Sequence, residues 1–141
     1  ELSPDLAILE AIKIEGVNIG RMLKAINDRI EILYNRDHQI GHTYFLPLKT
    51  DPALSRLADI FTTQIFPLLE EYFFEDRRVI RTVLGDDRKT NGEHVFLRPR
   101  FRSGELARLF GPEREADYSE IYEWNPEALD APEAYISIYE T

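Results

Sequence analysis

The 141-residue chain contains no cysteine. Disulfides, thiolate zinc sites and thiol nucleophiles are therefore excluded, and a reducing, cytoplasmic setting is expected. Histidine is scarce, with three residues, few for metal binding or acid–base chemistry. No stretch approaches the roughly 20 consecutive apolar residues of a membrane span. The start, Glu1 to Asp5, carries acid where a signal peptide would carry base, so no membrane partner is expected. Positive charge is also short: 17 Lys and Arg stand against 26 Asp and Glu, a net charge of −9. Nucleic-acid affinity comes largely from cations that replace phosphate counterions, which disfavours a DNA-binding helical domain. The deficit is sharpest from Gly111 to Thr141, where Arg114 is the only basic residue. That segment reads first as a solvated acidic face and second as a surface for a basic partner.

Several reaction signatures are missing as well. No G-x-x-x-x-G-K-[ST] occurs, so no loop of backbone N–H groups with a following lysine can cradle phosphates. No strand ends in paired acids suited to a magnesium site beside such a loop. Neither G-x-G-x-x-G nor G-x-S-x-G is present.

What is present is mostly helical. Leu2 to Ile14 reads as a short helix, with Ser3 as cap, Pro4 at the first position and Gly16 as its stop. Asn18 is placed to cap the strongest helix. Along it Ile19, Met22, Leu23, Ile26, Ile30 and Leu33 recur at spacings of three and four, one buried face. Asn35 to Thr50 breaks this pattern. Asp51 as cap and Pro52 then start a helix with Leu54, Leu57, Ala58, Phe61 and Ile65 inward. Pro67 lacks an N–H, so a kink or a stop and restart is expected near Phe66. A further helix, Arg77 to Leu84, closes at Gly85. Beyond the Asn91-Gly92 turn, His94 to Phe101 reads as an edge strand and Ser103 to Phe110 as a helix capped by Ser103. Tyr118 to Trp124 reads as a strand, and the alternation from Ala134 to Tyr139 as another. The fold class is thus mainly α, a helical bundle (1–86) followed by a small α+β extension (87–141) packed on it.

Three clusters carry possible chemistry. In Arg36-Asp37-His38-Gln39-Ile40-Gly41-His42-Thr43-Tyr44-Phe45, the two histidines are four apart. A zinc pair is conceivable at that spacing, but Gly41 intervenes and no glutamate takes the place of a hydrolytic base, so no metal is assigned. The remaining choices are structural hydrogen bonding or contact with a nucleotide or neighbouring subunit. Imidazole can donate to phosphate, and Gly41 lets backbone approach a ligand. Glu70-Glu71 and Glu75-Asp76 flank aromatics and read as a solvated face, not an acid–base pair. Arg98, Arg100 and Arg102 alternate, and pairing with the acidic C-terminal segment is their expected use.

The order of segments resembles the C-terminal part of the McrB-like AAA+ NTPases. A long helix ends in Asn27-Asp28-Arg29-Ile30. Ile40-Gly41-His42-Thr43-Tyr44-Phe45 follows, then Pro67-Leu68-Leu69-Glu70-Glu71-Tyr72-Phe73-Phe74-Glu75-Asp76, then Val83-Leu84-Gly85-Asp86. The family's lid carries an I-G-H-[ST]-Y-F segment followed by P-L-L-x-E-Y-F-x-D. The resemblance is strong from Leu2 to Asp86, with a less specific likeness at Pro132 to Tyr139. It implies an AAA+ helical lid. It also implies a parent that hydrolyses GTP or ATP with magnesium, assembles into a ring and drives a McrC-type nuclease subunit in restriction of modified DNA. The lid's partners would be its own AAA+ core and neighbouring ring subunits. DNA would be read by an N-terminal domain, and the phosphate loop would lie in a core before Glu1. On this reading the 141 residues are a piece of a longer protein, inactive alone and holding no cofactor, with no catalytic residue and no metal. His38, Gly41 and His42 are its nucleotide-side or interface contacts. The alternative is a stand-alone acidic helical protein-interaction module. A reading frame running upstream through a phosphate loop separates the two.

Overall fold

The structure, a computed structural model, describes residues 5–118 and 120–140. The expected cap Ser3 and the following Pro4 lie outside them. Helix α1 (Leu6–Glu10) is shorter than the sequence indicates. The chain leaves it at Ala11 and forms a two-residue antiparallel ribbon, β1 (Lys13–Ile14) with β2 (Val17–Asn18). Glu15 and Gly16, both at positive φ, make its turn. Gly16 therefore turns a hairpin instead of stopping a helix.

Helix α2 (Ile19–Leu33) is the spine. Asn18 caps it, its side chain accepting from the Arg21 N–H at 3.0 Å. Ile19, Met22, Leu23, Ile26 and Ile30 are fully buried. Leu33, expected on the same face, is 43% exposed, because the helix has already cleared the core there. Gly20 faces α1 so closely that a Cβ would lie 2.8 Å from the Glu10 backbone nitrogen.

After α2 the chain runs through two 3₁₀ segments, Arg36–His38 and His42–Lys49. The second buries Phe45 and Leu48, three apart, as a three-residue turn requires. Asp51 does not cap the next helix. Its carbonyl accepts from the Ala53 N–H at 2.9 Å, and α3 (Leu54–Ile60) starts after Ala53 with no side-chain cap. The helical run does not stop at Pro67. Phe61–Ile65 is a π turn leading straight into α4 (Phe66–Tyr72), and the Phe66 N–H bonds the Phe61 carbonyl across that wider turn. Pro67 then occupies the first turn of α4, where its missing N–H is tolerated. Helix α5 (Arg77–Val83) is capped by Asp76, which accepts from the Arg78 N–H at 3.2 Å. It closes at Gly85, whose φ of +75° suits glycine.

The remainder is smaller than its strand count in the sequence indicates. β3 (Leu97–Pro99) pairs antiparallel with β4 (Tyr122–Trp124), only three residues each. Helix α6 (Ser103–Phe110) lies between them and begins after Arg102. The segment Ala134–Tyr139 is not a strand: with α7 (Pro126–Leu129) before it, Pro132–Tyr139 forms helix α8. The alternating sequence fits either state. Pro132 presets the first helical turn, and the residues that bury are Ala134, Tyr135 and Ile138, a helical set.

One core joins the front and back of the chain. Phe61 sits at its centre, with ring centroids 6.2 Å from Phe45, 5.7 Å from Phe66 and Phe96, and 5.1 Å from Tyr135. Two polar devices reinforce the join. Asp86, 2% exposed, accepts from the Phe96 N–H at 3.0 Å, the Leu97 N–H at 2.9 Å and Lys89 Nζ at 2.9 Å. Arg29 and Arg88 both donate to the Ile138 carbonyl, at 2.7 and 3.2 Å. They satisfy the carbonyl end of α8 and complement its dipole.

Candidate functional site

The loop between α2 and the 3₁₀ segment His42–Lys49 is held from below by Asn27. This side chain is 2% exposed. Its Oδ1 accepts from the Ile40 N–H at 2.6 Å, and its Nδ2 donates to the Ile40 carbonyl at 3.0 Å. A buried amide thus completes both hydrogen bonds of one peptide residue that has no ladder partner. Ile40 itself is buried, so the loop is anchored by packing and by hydrogen bonds.

The two histidines on this loop are engaged separately. His38 Nδ1 donates to Asn35 Oδ1 at 2.6 Å, which leaves Nε2 as the acceptor in the neutral ring. Its ring stacks on Tyr34 at 4.1 Å and meets the Tyr72 edge at 5.1 Å. His42 Nδ1 accepts from the Asp5 N–H at 2.9 Å. Its neutral tautomer therefore carries the proton on Nε2, which has no hydrogen-bond partner among the described residues. Gly41 has an ordinary extended backbone, φ −71° and ψ 150°. A Cβ there would meet only the Thr43 hydroxyl at 3.7 Å, so the backbone demands no glycine. Among the described residues no three His, Asp or Glu side chains gather as a cation site.

A polar pocket opens beside the loop, lined by Lys24, Asn27, Glu31, Arg36 and Gln39, with Leu6 as its apolar wall. Neither His38, Gly41 nor His42 lines it. Lys24 is paired with Asp28 at 2.8 Å, which raises the lysine pKa through that hydrogen bond and the carboxylate's charge. Arg36 has no carboxylate partner among the described residues. Sequence reasoning passed over this pocket and Asn27. The available signal was an asparagine four residues after Leu23 and three before Ile30, on the buried stripe, where an unpartnered amide would be costly.

The other clusters resolve as framework. Glu70 pairs with Arg77 at 3.2 Å, and Asp76 is the cap of α5. Arg98 Nε meets Glu123 at 2.8 Å and Arg100 meets the same carboxylate at 3.5 Å, so these arginines pair with the acidic C-terminal segment. No helix among the described residues is long and apolar enough to cross a membrane.

Residues 18–81 match the family model described as McrB, alpha-helical lid domain. The matched span runs from the Asn18 cap through α2, the anchored loop, α3, the π turn and α4, into α5. No curated protein matches the chain.

Proposed function

From the match of residues 18–81 to the alpha-helical lid domain of McrB, we propose that the chain is the nucleotide-responsive lid of a McrB-like AAA+ nucleoside triphosphatase. That enzyme hydrolyses GTP or ATP with magnesium and powers a McrC-type nuclease in restriction of modified DNA. The 141 residues contain no phosphate loop, so phosphate binding and magnesium are supplied by an AAA+ core. The lid contributes contacts to that core and to neighbouring ring subunits. The division of labour places the lid at 1–86, with 87–141 as an extension packed on it.

The anchored loop carries this reading. His42 Nε2–H is a donor without a partner among the described residues, suited to an anionic or carbonyl acceptor on the nucleotide or an adjoining subunit. His38 and Gly41 shape the same loop. Because Asn27 ties Ile40 to α2, a contact that differs between triphosphate and diphosphate states would act on the helical spine and not on a free loop.

The test is His42→Ala in the full-length parent, with nucleotide affinity, hydrolysis and ring assembly measured. A loss in at least one is expected; three unchanged values would sink the loop's assigned role.

A further inference from the structure

Helix α4 ends in a strained turn. Phe74 and Glu75 follow it with φ of +52° and +62°, a backbone region that is costly for side chains of this size. The turn leaves Phe74 87% exposed, on a shelf with Glu71 and Glu75. Burial does not repay that placement, and such strain concentrates at binding surfaces. Neither Glu71 nor Glu75 has a cation partner among the described residues. The nearest arginines in sequence are engaged elsewhere, Arg77 with Glu70 at 3.2 Å, and Arg78 with Asp76 at 3.6 Å and Glu120 at 3.0 Å. Glu70 is thus neutralised, and the two unpaired carboxylates supply the charge of the shelf.

An apolar slot adjoins the shelf, sharing Pro67 and Glu70 with it. Thr62, Phe66, Pro67, Trp124, Pro126 and Leu129 line about 240 Å³, and Phe66 stacks on Trp124 at 4.0 Å. One wall belongs to the matched lid span and the other to residues beyond it. Pockets for whole small ligands run larger, about 300–1,000 Å³, whereas this one suits a single anchoring side chain of a longer segment.

We propose that slot and shelf together dock an extended segment of a partner protein in which bulky aliphatic residues follow a basic pair. An aliphatic side chain fills the slot, and the basic pair lies over Glu71, Glu75 and the Phe74 ring. Two features select this chemistry. The lining of the slot favours an apolar anchor, and the unpaired carboxylates attract cations while repelling nucleic-acid phosphate and anionic lipid. A cation over the exposed Phe74 ring gains further from its π face. None of these residues belongs to the His38–His42 loop, so the proposal stands or falls apart from the nucleotide reading.

Trp124 is the only tryptophan in the chain, so its fluorescence reports on the slot. The probe is a capped Arg-Lys-Leu-Leu peptide titrated into the 141-residue chain. A shift in Trp124 emission is expected, with a Kd below about 1 mM that weakens as salt is added. Capped Glu-Glu-Leu-Leu and Arg-Lys-Ser-Ser peptides should each bind at least about tenfold more weakly, the first for want of complementary charge and the second for want of an anchor. Thr62→Phe fills the slot with the chain's own ring, and Glu71→Lys with Glu75→Lys reverses the shelf; all three positions are exposed. Each variant should lower affinity for Arg-Lys-Leu-Leu by about tenfold. No binding at about 1 mM peptide, equal binding by either control peptide, or unchanged affinity in either variant overturns the proposal. Trp124 emission that shifts with chain concentration alone would assign the slot to a second copy and likewise overturn it.

Discussion

Asn27 and Ile40 exchange two hydrogen bonds, Ile40 N–H to Asn27 Oδ1 at 2.6 Å and Asn27 Nδ2 to the Ile40 carbonyl at 3.0 Å. This is the contact that fastens the His38–His42 loop to α2. Asn27→Ala leaves both backbone groups buried without partners. The expected cost is about 2–6 kcal/mol, from roughly 1–3 kcal/mol for each of the two orphaned groups. Urea denaturation measures it, and faster amide exchange at Ile40 than at Ile26 would localise the damage to the loop.

Asp86 and Lys89 form the most deeply buried ion pair among the described residues, with side chains 0% and 1% exposed. Lys89 also donates to the His94 carbonyl at 2.9 Å and lies 4.1 Å from the Phe96 ring centre. Asp86→Ala strands a buried ammonium and frees the N–H groups of Phe96 and Leu97. A loss of about 3–5 kcal/mol is expected. Replacing both partners, Asp86→Asn with Lys89→Met, should cost less than Asp86→Ala alone, because no uncompensated charge remains. Equal costs in a thermal or chemical melt would contradict that account.

The same lysine gives a pH signature. Burial outweighs the attraction of Asp86 and pushes Lys89 down from 10.5 to about 8. Between those two values the unfolded chain holds more protons than the folded one, so this group makes stability rise as pH rises from about 8. Burial of the Tyr135 hydroxyl works the other way. Its pKa is raised, so above about 10 the unfolded phenol ionises first and stability falls. The rise between pH 8 and 10 should disappear in Lys89→Met when unfolding free energies are compared across that range.

Gly20 sets the approach of α1 to α2. A Cβ there would sit 2.5 Å from Glu10 Cγ and 2.8 Å from Glu10 N. The side chain can move; the backbone can do so only by separating the helices. Gly20→Ala should therefore destabilise by about 1–3 kcal/mol despite alanine's better helix propensity. A more stable Gly20→Ala variant in a thermal melt would disprove the close packing.

Much of the fold was legible because local chemistry and packing agree. The Asn18 cap, the Ile19–Ile30 stripe, the Arg77 helix closing at Gly85 and the helical stretch from Ser103 follow from capping, periodicity and glycine placement, although the last of these has Arg102 and not Ser103 as its N-cap. What escaped depends on distant partners. Asn27 is polar by composition and buried by context, and its partner lies across a loop. Asp86 looks like one acid in a polar run until the N–H groups of Phe96 and Leu97 arrive. The Ala134–Tyr139 segment carries a pattern compatible with strand or helix, and contact with α2 decides it through Arg29. At the candidate site, the loop was legible from its motif, but its tautomers were not. The Nδ1 partners of His38 and His42 come from Asn35 and Asp5, and only three-dimensional placement supplies them.

The π turn at Phe61–Ile65 has a geometric consequence of its own. Before it the buried positions are Leu57, Ile60 and Phe61; after it they are Ile65, Phe66, Leu69 and Phe73. An uninterrupted α-helix carrying Leu57 and Phe61 inward would continue through positions 64, 68 and 72. The wide turn absorbs one extra residue and slips the phase of the helical run by one position. The two halves can thus address different neighbours, Phe45 and Tyr135 from Phe61 and the Trp124 face from Phe66. Deleting a single exposed residue such as Thr63 would restore a regular helix and carry Ile65, Leu69 and Phe73 to positions 64, 68 and 72, the inward positions of that helix, so the buried face would survive the loss of one residue.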